Sequence, residues 1–499
     1  MRLKNGMEIK TTMSRRNCSE LFLTLSAIGA VLWMGACSVG PNYKRPAVNV
    51  PASFRGVVSA ADEPTPASAP ASASAMATDG RSTASLGNEK WWEVFQDKEL
   101  QELIRTALKN NYDVRIAATR VLQAQAQLGI TRADQLPSLS VGGGVTGTGN
   151  PQVGPIPSYQ LTQGQVSASA AWNLDFWGRY RRATEAARAN LLASEWAQKA
   201  VLSTLVADVA SSYFLLRQLD YQLEISKRTL ASRQDSLELT KTLEEHGINN
   251  LLDVRQSEQL VYTASAEVPD LERQIAIQEN ALSILLGNNP EDIPRGLKLT
   301  EQPHSPEVPV GLPSALLERR PDIREAEQNL IAANAQIGVA RAAYFPQISL
   351  TGSGGFESSK LTNLFQGPAG IWSLAGSITQ PIFEGGRLKS GVRLAEAQHE
   401  QMLLSYQQTV QGAFRDVSDA LVAYRKYREF RIQQQLLVGS ARDAAHLSEL
   451  RFKAGSTDYL EVLTNETNAF SAELALAQAQ GNELNSLVQL YLALGGGWE

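Results

Sequence analysis

Histidine and cysteine are scarce in this sequence of 499 residues, which limits the chemistry that it supports. Its four histidines, at positions 246, 304, 399 and 446, do not have the spacing of zinc ligands. Neither a GxxxxGK[ST] nor a GxSxG segment is present. Gly142 to Gly147 satisfies GxGxxG, but Gly, Pro and Asn follow it instead of a helix. We predict no catalytic residues, no metal site and no cofactor except a covalent lipid.

Basic residues are not in excess, and long apolar runs are rare. The formal net charge is -5, so the composition favours no nucleic-acid partner. After residue 37 no run of eighteen apolar residues occurs, so no obvious transmembrane helix is available. If the chain crosses a membrane, we expect it to do so with β-strands.

The two cysteines, Cys18 and Cys37, both lie in an N-terminal segment with the features of a secretory signal. Arg15 and Arg16 precede a mostly apolar stretch that ends in Gly35-Ala36-Cys37, which is similar to a lipoprotein cleavage site. Met34 occupies a position where leucine is usual, so a plain signal peptide with an incidental cysteine is the alternative. We predict a signal peptide over 1–36, with Met13 as a possible start, and a lipid on Cys37. The position after Cys37 holds Ser38 instead of the aspartate that commonly retains bacterial lipoproteins at the inner membrane.

An internal duplication organises the rest of the chain. Gly178-Arg179 recurs as Gly386-Arg387, Gly247 as Gly455, and Leu286-Gly287 as Leu494-Gly495, each 208 residues later. We predict a lipidated N-terminus with an Ala/Ser/Pro-rich tether over 37–88, a first repeat over 89–287, a proline-rich connector over 288–312, and a second repeat over 313–499.

Each repeat is predicted to contain two strands and a long helix hairpin. Apolar and polar residues alternate with period two over 166–176, which is typical of a strand with one apolar face. The predicted strands cover about 138–149, 163–176, 346–357 and 371–383, and the hairpins about 178–287 and 386–495. Apolar residues recur every seven positions in both helices of the first hairpin, which indicates coiling helices. They are Leu202, Val209, Leu216, Leu223, Leu230 and Leu237, and then Val254, Val261, Val268, Ile275 and Leu282. Between these seams lie small or polar residues, namely Ser212, Ser226 and Thr240. We expect such helices to pack on both sides in a curved wall and still present a wet face.

The strands favour a transmembrane barrel, with an ordinary soluble sandwich or pair of hairpins as the alternative. The smallest spanning barrels have about eight strands, so four strands per chain would require several chains in one barrel. Six aromatic residues are predicted to form the girdle at the membrane surfaces: Trp172, Phe176, Trp177, Phe356, Trp372 and Phe383.

Several motifs resemble those of one family. The segments are Cys37 to Pro46, Trp91-Trp92 with Phe95 and Asp97, Trp172 to Arg179, Leu316 to Ile323, Ile337 to Pro346, and Leu492 to Trp498. Together they resemble the TolC/OprM-type outer membrane factors, in the NodT-like lipoprotein branch. The resemblance runs from Cys37 to the C-terminus, except for the tether.

This resemblance implies a fold and a function. It implies a mainly α chain with four transmembrane strands, which forms a homotrimer with a shared twelve-stranded barrel and a periplasmic α-barrel. It also implies an outer-membrane location, contact with outer-membrane lipids, and a role as passive exit channel for small molecules. The partners would be a periplasmic adaptor and an inner-membrane pump, often of the resistance-nodulation-division (RND) type. Two alternatives are a duct for type I protein secretion and a structural periplasmic lipoprotein without a pore.

The resemblance also implies a gate at the hairpin tips, which are predicted to turn at Gly247 and Gly455. Glu461 matches an acidic family position, whereas Thr464 stands where aspartate is usual. The predicted constriction consists of Asp253, Asp458, Leu460, Glu461 and Thr464. For each acidic residue, a solvated charge at a helix start is an equal alternative, and Leu460 is equally expected to be a packing residue.

Overall fold

The computed structural model describes residues 38–51, 53–55, 85–152, 154–155, 157–248, 250–303, 311 and 313–498. Cys37, the signal peptide and most of the tether therefore lie outside the described residues. The chain forms two compact units. Unit 1 comprises the described parts of Met1–Arg45, Ala124–Leu191 and Asn329–Leu403, and unit 2 those of Pro46–Gln123, Leu192–Gln328 and Leu404–Glu499. Each unit thus contains segments from both predicted repeats.

The secondary structure is mainly helical, with four strands. In chain order the elements are α1 Trp91–Val94, α2 Lys98–Asn110, α3 Tyr112–Ala133, β1 Ser138–Asn150, β2 Tyr159–Leu174, α4 Arg179–Glu245, α5 Leu251–Leu285, α6 Pro313–Arg319, α7 Pro321–Ala342, β3 Gln347–Ser358, β4 Gly370–Thr379, α8 Arg387–Lys453 and α9 Tyr459–Ala493. Short 3-10 turns cover Leu86–Asn88, Leu299–Glu301, Leu361–Asn363 and Gly367–Ala369.

The internal duplication is confirmed by the lengths of these elements. Helices α4 and α8 have 67 residues each, or about 100 Å, and α5 and α9 have 35 each. The long helices end on the same turn, since Gly247 and Gly455 have φ angles of 73° and 70°. In each turn the residue after the glycine donates to a carbonyl five residues earlier, as in a Schellman motif. Both predicted tip turns are therefore present.

The strands form one antiparallel sheet in the order β1-β2-β3-β4. Val141 pairs with Ala168, Ala168 with Gly354, and Gly354 with Trp372, so these four residues share one face. Three strands match the predicted ranges to within a few residues. The predicted end of the fourth at 383 was wrong, because β4 stops at Thr379, two residues before Pro381.

The seven-residue leucine and valine pattern of the first hairpin packs mostly inward. Val209 and Leu216 are fully buried in α4, and Val254, Val261 and Leu282 are buried in α5. Helix α5 continues through Pro269 without interruption. The long helices therefore pack along the predicted seams.

Two of the three small polar residues expected near a wet face do not reach solvent, whereas Ser212 is half-buried. Ser226 and Thr240 are buried in the chain. The Thr240 hydroxyl donates to the backbone carbonyl of Ser236, 2.8 Å away, which satisfies its donor without water. Small side chains at these positions allow neighbouring helices to approach closely.

Helix α4 also contains a window of eighteen residues with a mean hydropathy of 1.3, half of it buried. By length and composition this window is sufficient to cross a membrane, and no other helix in the described ranges is. The core helix of a soluble protein meets the same criterion.

In unit 2, the buried carboxylate of Asp97 joins three segments of the chain. Its Oδ2 accepts hydrogen bonds from the Tyr213 hydroxyl, the Leu297 amide and the Gln302 side chain, each 2.9 Å long. Burial raises the pKa of Tyr213 far above its usual value, so this phenol remains a donor. Asp97 therefore fixes the segment after α5 against α4.

Candidate membrane sheet and hairpin-tip gate

The sheet separates apolar from polar side chains across its two faces. The apolar face carries Leu139, Val141, Val145, Val166, Trp172, Ile348, Leu350, Phe356, Trp372, Leu374 and Ile378. On the polar face, serine hydroxyls pair across strands, with Ser140 and Ser169, and Ser353 and Ser373, 2.8 Å apart. The alternation predicted from 166–176 thus extends over all four strands.

Much of this apolar face is exposed in the chain. Trp372 is 83% exposed and Leu139 77% exposed, and Leu374 and Ile378 have similar values. An apolar surface that extends over four strands requires a cover, because soluble monomers rarely expose large apolar patches. Strands of ten to sixteen residues are long enough to cross a bilayer when tilted.

The predicted aromatic girdle divides into three residues on strands and three beyond them. Trp172, Phe356 and Trp372 lie on the apolar face. Phe176 and Trp177 follow the end of β2, and Phe383 follows the end of β4. The predicted strand ranges, which included Phe176 and Phe383, were therefore too long at these two ends.

Trp177 has partners within unit 1 that explain its position. Its indole nitrogen donates to the carbonyl of Pro346 at 2.8 Å, and its ring stacks on Phe345 with centroids 4.8 Å apart. Trp177 therefore joins the end of β2 to the segment before β3. Its role in a membrane girdle stays a prediction.

The two hairpin tips place corresponding acidic residues at the same position. Asp253 and Glu461 are 208 residues apart, and each is the third residue of its helix, α5 or α9. The Asp253 amide donates to the Asn250 side chain at 3.0 Å, and the Asn250 amide donates to the Asp253 carboxylate at 3.3 Å. Asp253 is therefore part of a capping box, which agrees with the helix-start alternative.

Glu461 instead has partners on the preceding turn. The Arg451 guanidinium donates to one carboxylate oxygen at 3.0 Å, and the Thr457 hydroxyl donates to the other. Arg451 was not among the predicted gate residues. Its only sequence signal is a basic residue in the last turn of α8, ten positions before Glu461.

The other predicted gate residues lie on the surface of the second tip. Asp458 precedes α9, and its side chain makes no capping hydrogen bond. Leu460 is 56% exposed, so within the chain it is not a packing residue. Thr464 is exposed, and its hydroxyl donates to the Leu460 carbonyl at 2.8 Å. The structure thus groups Asp458, Leu460, Glu461 and Thr464 at one tip.

A buried polar contact joins the two hairpins behind the tips. The Ser257 hydroxyl in α5 lies 2.9 Å from the Tyr459 hydroxyl in α9 and 3.4 Å from that of Thr240 in α4. All three residues are buried. In the sequence, the polar residues Thr240 and Ser257 amid apolar seams are the signal for a buried polar contact. Nothing in the sequence indicates that Tyr459 is the third member.

Further along the same helices, Arg233 of α4 is buried beside α9. Its guanidinium donates to the Leu260 carbonyl at 2.9 Å and lies over the Phe470 ring, 4.9 Å from the centroid. Burial raises the pKa of nearby Glu466, an effect that Arg233 opposes and Glu449 increases.

No group of three or more His, Cys, Asp or Glu side chains suited to a metal ion occurs among the described residues.

The comparisons with known proteins agree with this geometry. The profile of the outer membrane efflux protein family matches residues 103–288 and 312–496. The chain belongs to this family. Its predicted fold class, mainly α with long helix hairpins and four strands, is that of the family's solved channels, and its place is the outer membrane.

Individual members of the outer membrane efflux protein family match over nearly the full chain. The solvent efflux pump outer membrane protein SrpC of Pseudomonas putida is 39% identical over 472 residues, which is 94% of this chain and 97% of the relative. The cation efflux system protein CusC of Escherichia coli K12 is 34% identical over 472 residues, which is 93% of this chain and 97% of the relative.

Two solved structures have the same fold. A crystal structure of CusC superposes with a TM-score of 0.81, at 33% identity, over 92% of this chain and all of that one. The open state of the Neisseria gonorrhoeae MtrE outer membrane channel superposes with a TM-score of 0.81, at 32% identity, over 93% of this chain and 99% of that one.

Proposed function

We propose that three copies of this chain form the passive exit channel of a tripartite efflux system. The observation that carries this proposal is the four-stranded sheet with one exposed apolar face and two edge strands. Within the described residues, β1 and β4 each pair on one side only. Edge strands in lipid need partners, because unpaired backbone groups there cost several kcal/mol each.

The number of strands requires more than one chain in the barrel, and the family's trimeric channels favour three. One chain has four strands, fewer than the roughly eight of the smallest spanning barrels. Three chains together contribute twelve strands, with β1 of one chain next to β4 of another. The polar face, with its paired serines, then lines a water-filled passage, and the apolar face contacts outer-membrane lipids.

The chain in this proposal catalyses no reaction, and its partners supply the energy. A periplasmic adaptor connects the hairpin tips to an inner-membrane pump of the RND type or a related class. Cys37 carries the lipid that anchors the N-terminus. The relatives' names mention solvent, toluene, antibiotic and cation efflux, and we propose small toxic organic molecules and drugs as the cargo.

Two experiments test the channel. Purified protein in a planar bilayer is expected to form long-lived conducting units, and detergent-resistant trimers with β signal in circular dichroism are expected alongside. A monomer without conductance would support a structural lipoprotein instead.

A deletion strain tested with drugs, dyes, solvents, metals and phenolic acids is expected to become sensitive to organic compounds and to recover with the intact gene. Loss of a secreted protein with unchanged sensitivity would support a type I secretion duct.

A further inference from the structure

The first described residues, Ser38 to Asn42, are held in place by several parts of unit 1. The Val39 amide donates to the carbonyl of Trp177 at 3.1 Å. From the other side, the Asn334 side chain donates to the carbonyl of Pro41 at 3.0 Å. The segment thus contacts both the β2–α4 junction and helix α7.

Arg182 makes most of the polar contacts with this segment. It lies in the first turn of α4 and is 5% exposed. Its guanidinium donates to the carbonyls of Val39 and Gly40, both at 3.3 Å, and to the side chain of Asn42 at 2.8 Å. The remaining nitrogen donates to Glu185 at 2.7 Å, which orients the group. A buried arginine therefore binds three successive parts of one short segment.

Glycines make room for the same segment. Gly40 has a φ of +107°, and a Cβ there would lie 2.5 Å from the Cα of Gly338. A Cβ on Gly178 would lie 2.8 Å from the Ser38 hydroxyl. These distances are shorter than any van der Waals contact, so the fit requires the bare backbone at both places.

The duplication shows that the second repeat does not carry this site. Arg182 corresponds to Ser390 and Glu185 to Arg393, 208 residues later. A Cβ on Gly386, the counterpart of Gly178, meets nothing within 4 Å in the described chain. The residues around Arg182 are therefore specific to the N-terminal segment and occur once per chain.

We propose that Arg182 is a positioning residue that clamps Ser38–Asn42 to unit 1 and fixes where the acyl chains on Cys37 leave the protein. This inference rests on the proposed lipid at Cys37. A lipid on the residue bonded to Ser38 starts about 4 Å or less from the Ser38 backbone. Ser38 contacts Gly178, four residues after the end of β2. The clamp therefore directs the lipid to the membrane surface at that end of the apolar face.

Tryptic cleavage after Lys44 in the purified full-length protein tests the clamp. Cleavage after Arg45 is blocked by Pro46, and a protease needs several extended residues on each side, including those in the clamp. Arg182→Ala and Gly40→Ala are expected to accelerate cleavage on the order of 30-fold, since three hydrogen bonds or the backbone fit are lost. Arg181→Ala, in the same helical turn, is the control. Equal rates in Arg182→Ala and Arg181→Ala would overturn the clamp, and Gly40→Ala decides the question if Arg182→Ala does not fold.

An inserted spacer changes the position of the lipid without changing the contacts of Arg182 with Ser38–Asn42. Ser-Gly-Gly inserted between Cys37 and Ser38 leaves the clamp intact and keeps serine after the cysteine, but moves the lipid away. We expect an unchanged cleavage rate and a smaller fraction of urea-resistant, membrane-embedded protein, at least about threefold lower. Full embedding of the spacer variant would overturn the positioning role. Absence of labelled palmitate on the wild-type chain would overturn the anchor itself, whereas the cleavage rates would still report the clamp.

Discussion

The hydroxyl of Tyr459 lies 2.9 Å from that of Ser257, and this buried contact connects the first turn of α9 to the first hairpin. It is a side-chain hydrogen bond between the two hairpins close to both tips. Any movement of one tip away from the other must break it, so it sets part of the energy needed to open the tip region.

Replacing Tyr459 by Phe is expected to loosen both tips. The substitution leaves Ser257 without one buried partner and should cost about 1–2 kcal/mol. Hydrogen exchange of amides at the starts of α5 and α9 should accelerate roughly 10-fold. Tyr262→Phe, which changes an exposed tyrosine of α5, is the matched control. Identical exchange in both variants would show that the contact does not restrain the tips.

Arg451 and Glu461 should have opposite effects on ion selectivity. Three Glu461 carboxylates near a narrow axis would attract cations, and Arg451 at 3.0 Å offsets each one. Arg451→Ala is therefore expected to increase the cation preference of the channel, and Glu461→Gln to decrease it. Reversal potentials in planar bilayers under a salt gradient measure both. Unchanged selectivity in Glu461→Gln would remove this residue from the gate.

Charge on the apolar face of the sheet should prevent membrane insertion, whereas charge on the polar face should not. Leu374→Lys places an ammonium on the face proposed to contact lipid, at a cost of about 2–4 kcal/mol near the bilayer midplane. Ser373→Lys, one residue earlier, points to the opposite face. Fractionation of outer membranes should show less Leu374→Lys and near-normal amounts of Ser373→Lys. Equal loss of both would contradict the assignment of faces.

Acidification should stabilise the helices around Glu466. Burial raises the pKa of this carboxyl above its ordinary 4.5 in the folded state. A raised folded pKa contributes stability that is complete below the ordinary value and is lost as pH rises through the raised value. The thermal midpoint should therefore increase between pH 7.5 and 5, and less so in Glu466→Gln.

The control for this pH effect is Glu429, an exposed residue. The Lys426 ammonium lowers the pKa of Glu429, so its contribution has the opposite sign and is lost as pH falls. Glu429→Gln should therefore not reduce the gain of stability on acidification. If it removes that gain as Glu466→Gln does, the effect does not arise from Glu466.

Sequence periodicity predicted the fold well because it reflects local geometry. The period of two located the strands, and the period of seven located the seams of Val209 and Leu216. The exact ends of the strands depended on single residues. For example, β4 ends before Pro381, although apolar and aromatic residues continue to Phe383. The contact of Trp177 with the Pro346 carbonyl could not be predicted, because the two residues are 169 positions apart in the sequence.

The tips were harder to predict, since side-chain pairing there depends on how the chain turns. Asp253 and Glu461 occupy the same position in their repeats, yet one caps a helix and the other binds Arg451. The sequence places an acid at each tip but does not say which partner each one has. Arg182 was missed for the same reason, because its partners lie some 140 residues earlier.

The equal lengths of the paired helices constrain how the chain can change. Both hairpins consist of a helix of 67 residues and one of 35, with the same turn at Gly247 and Gly455. Deleting two heptads from both helices of one hairpin would shorten it by about 20 Å, so its tip would no longer lie at the same height as the other tip. Among related chains, an insertion or deletion in one hairpin should therefore be accompanied by one of equal length in the other hairpin.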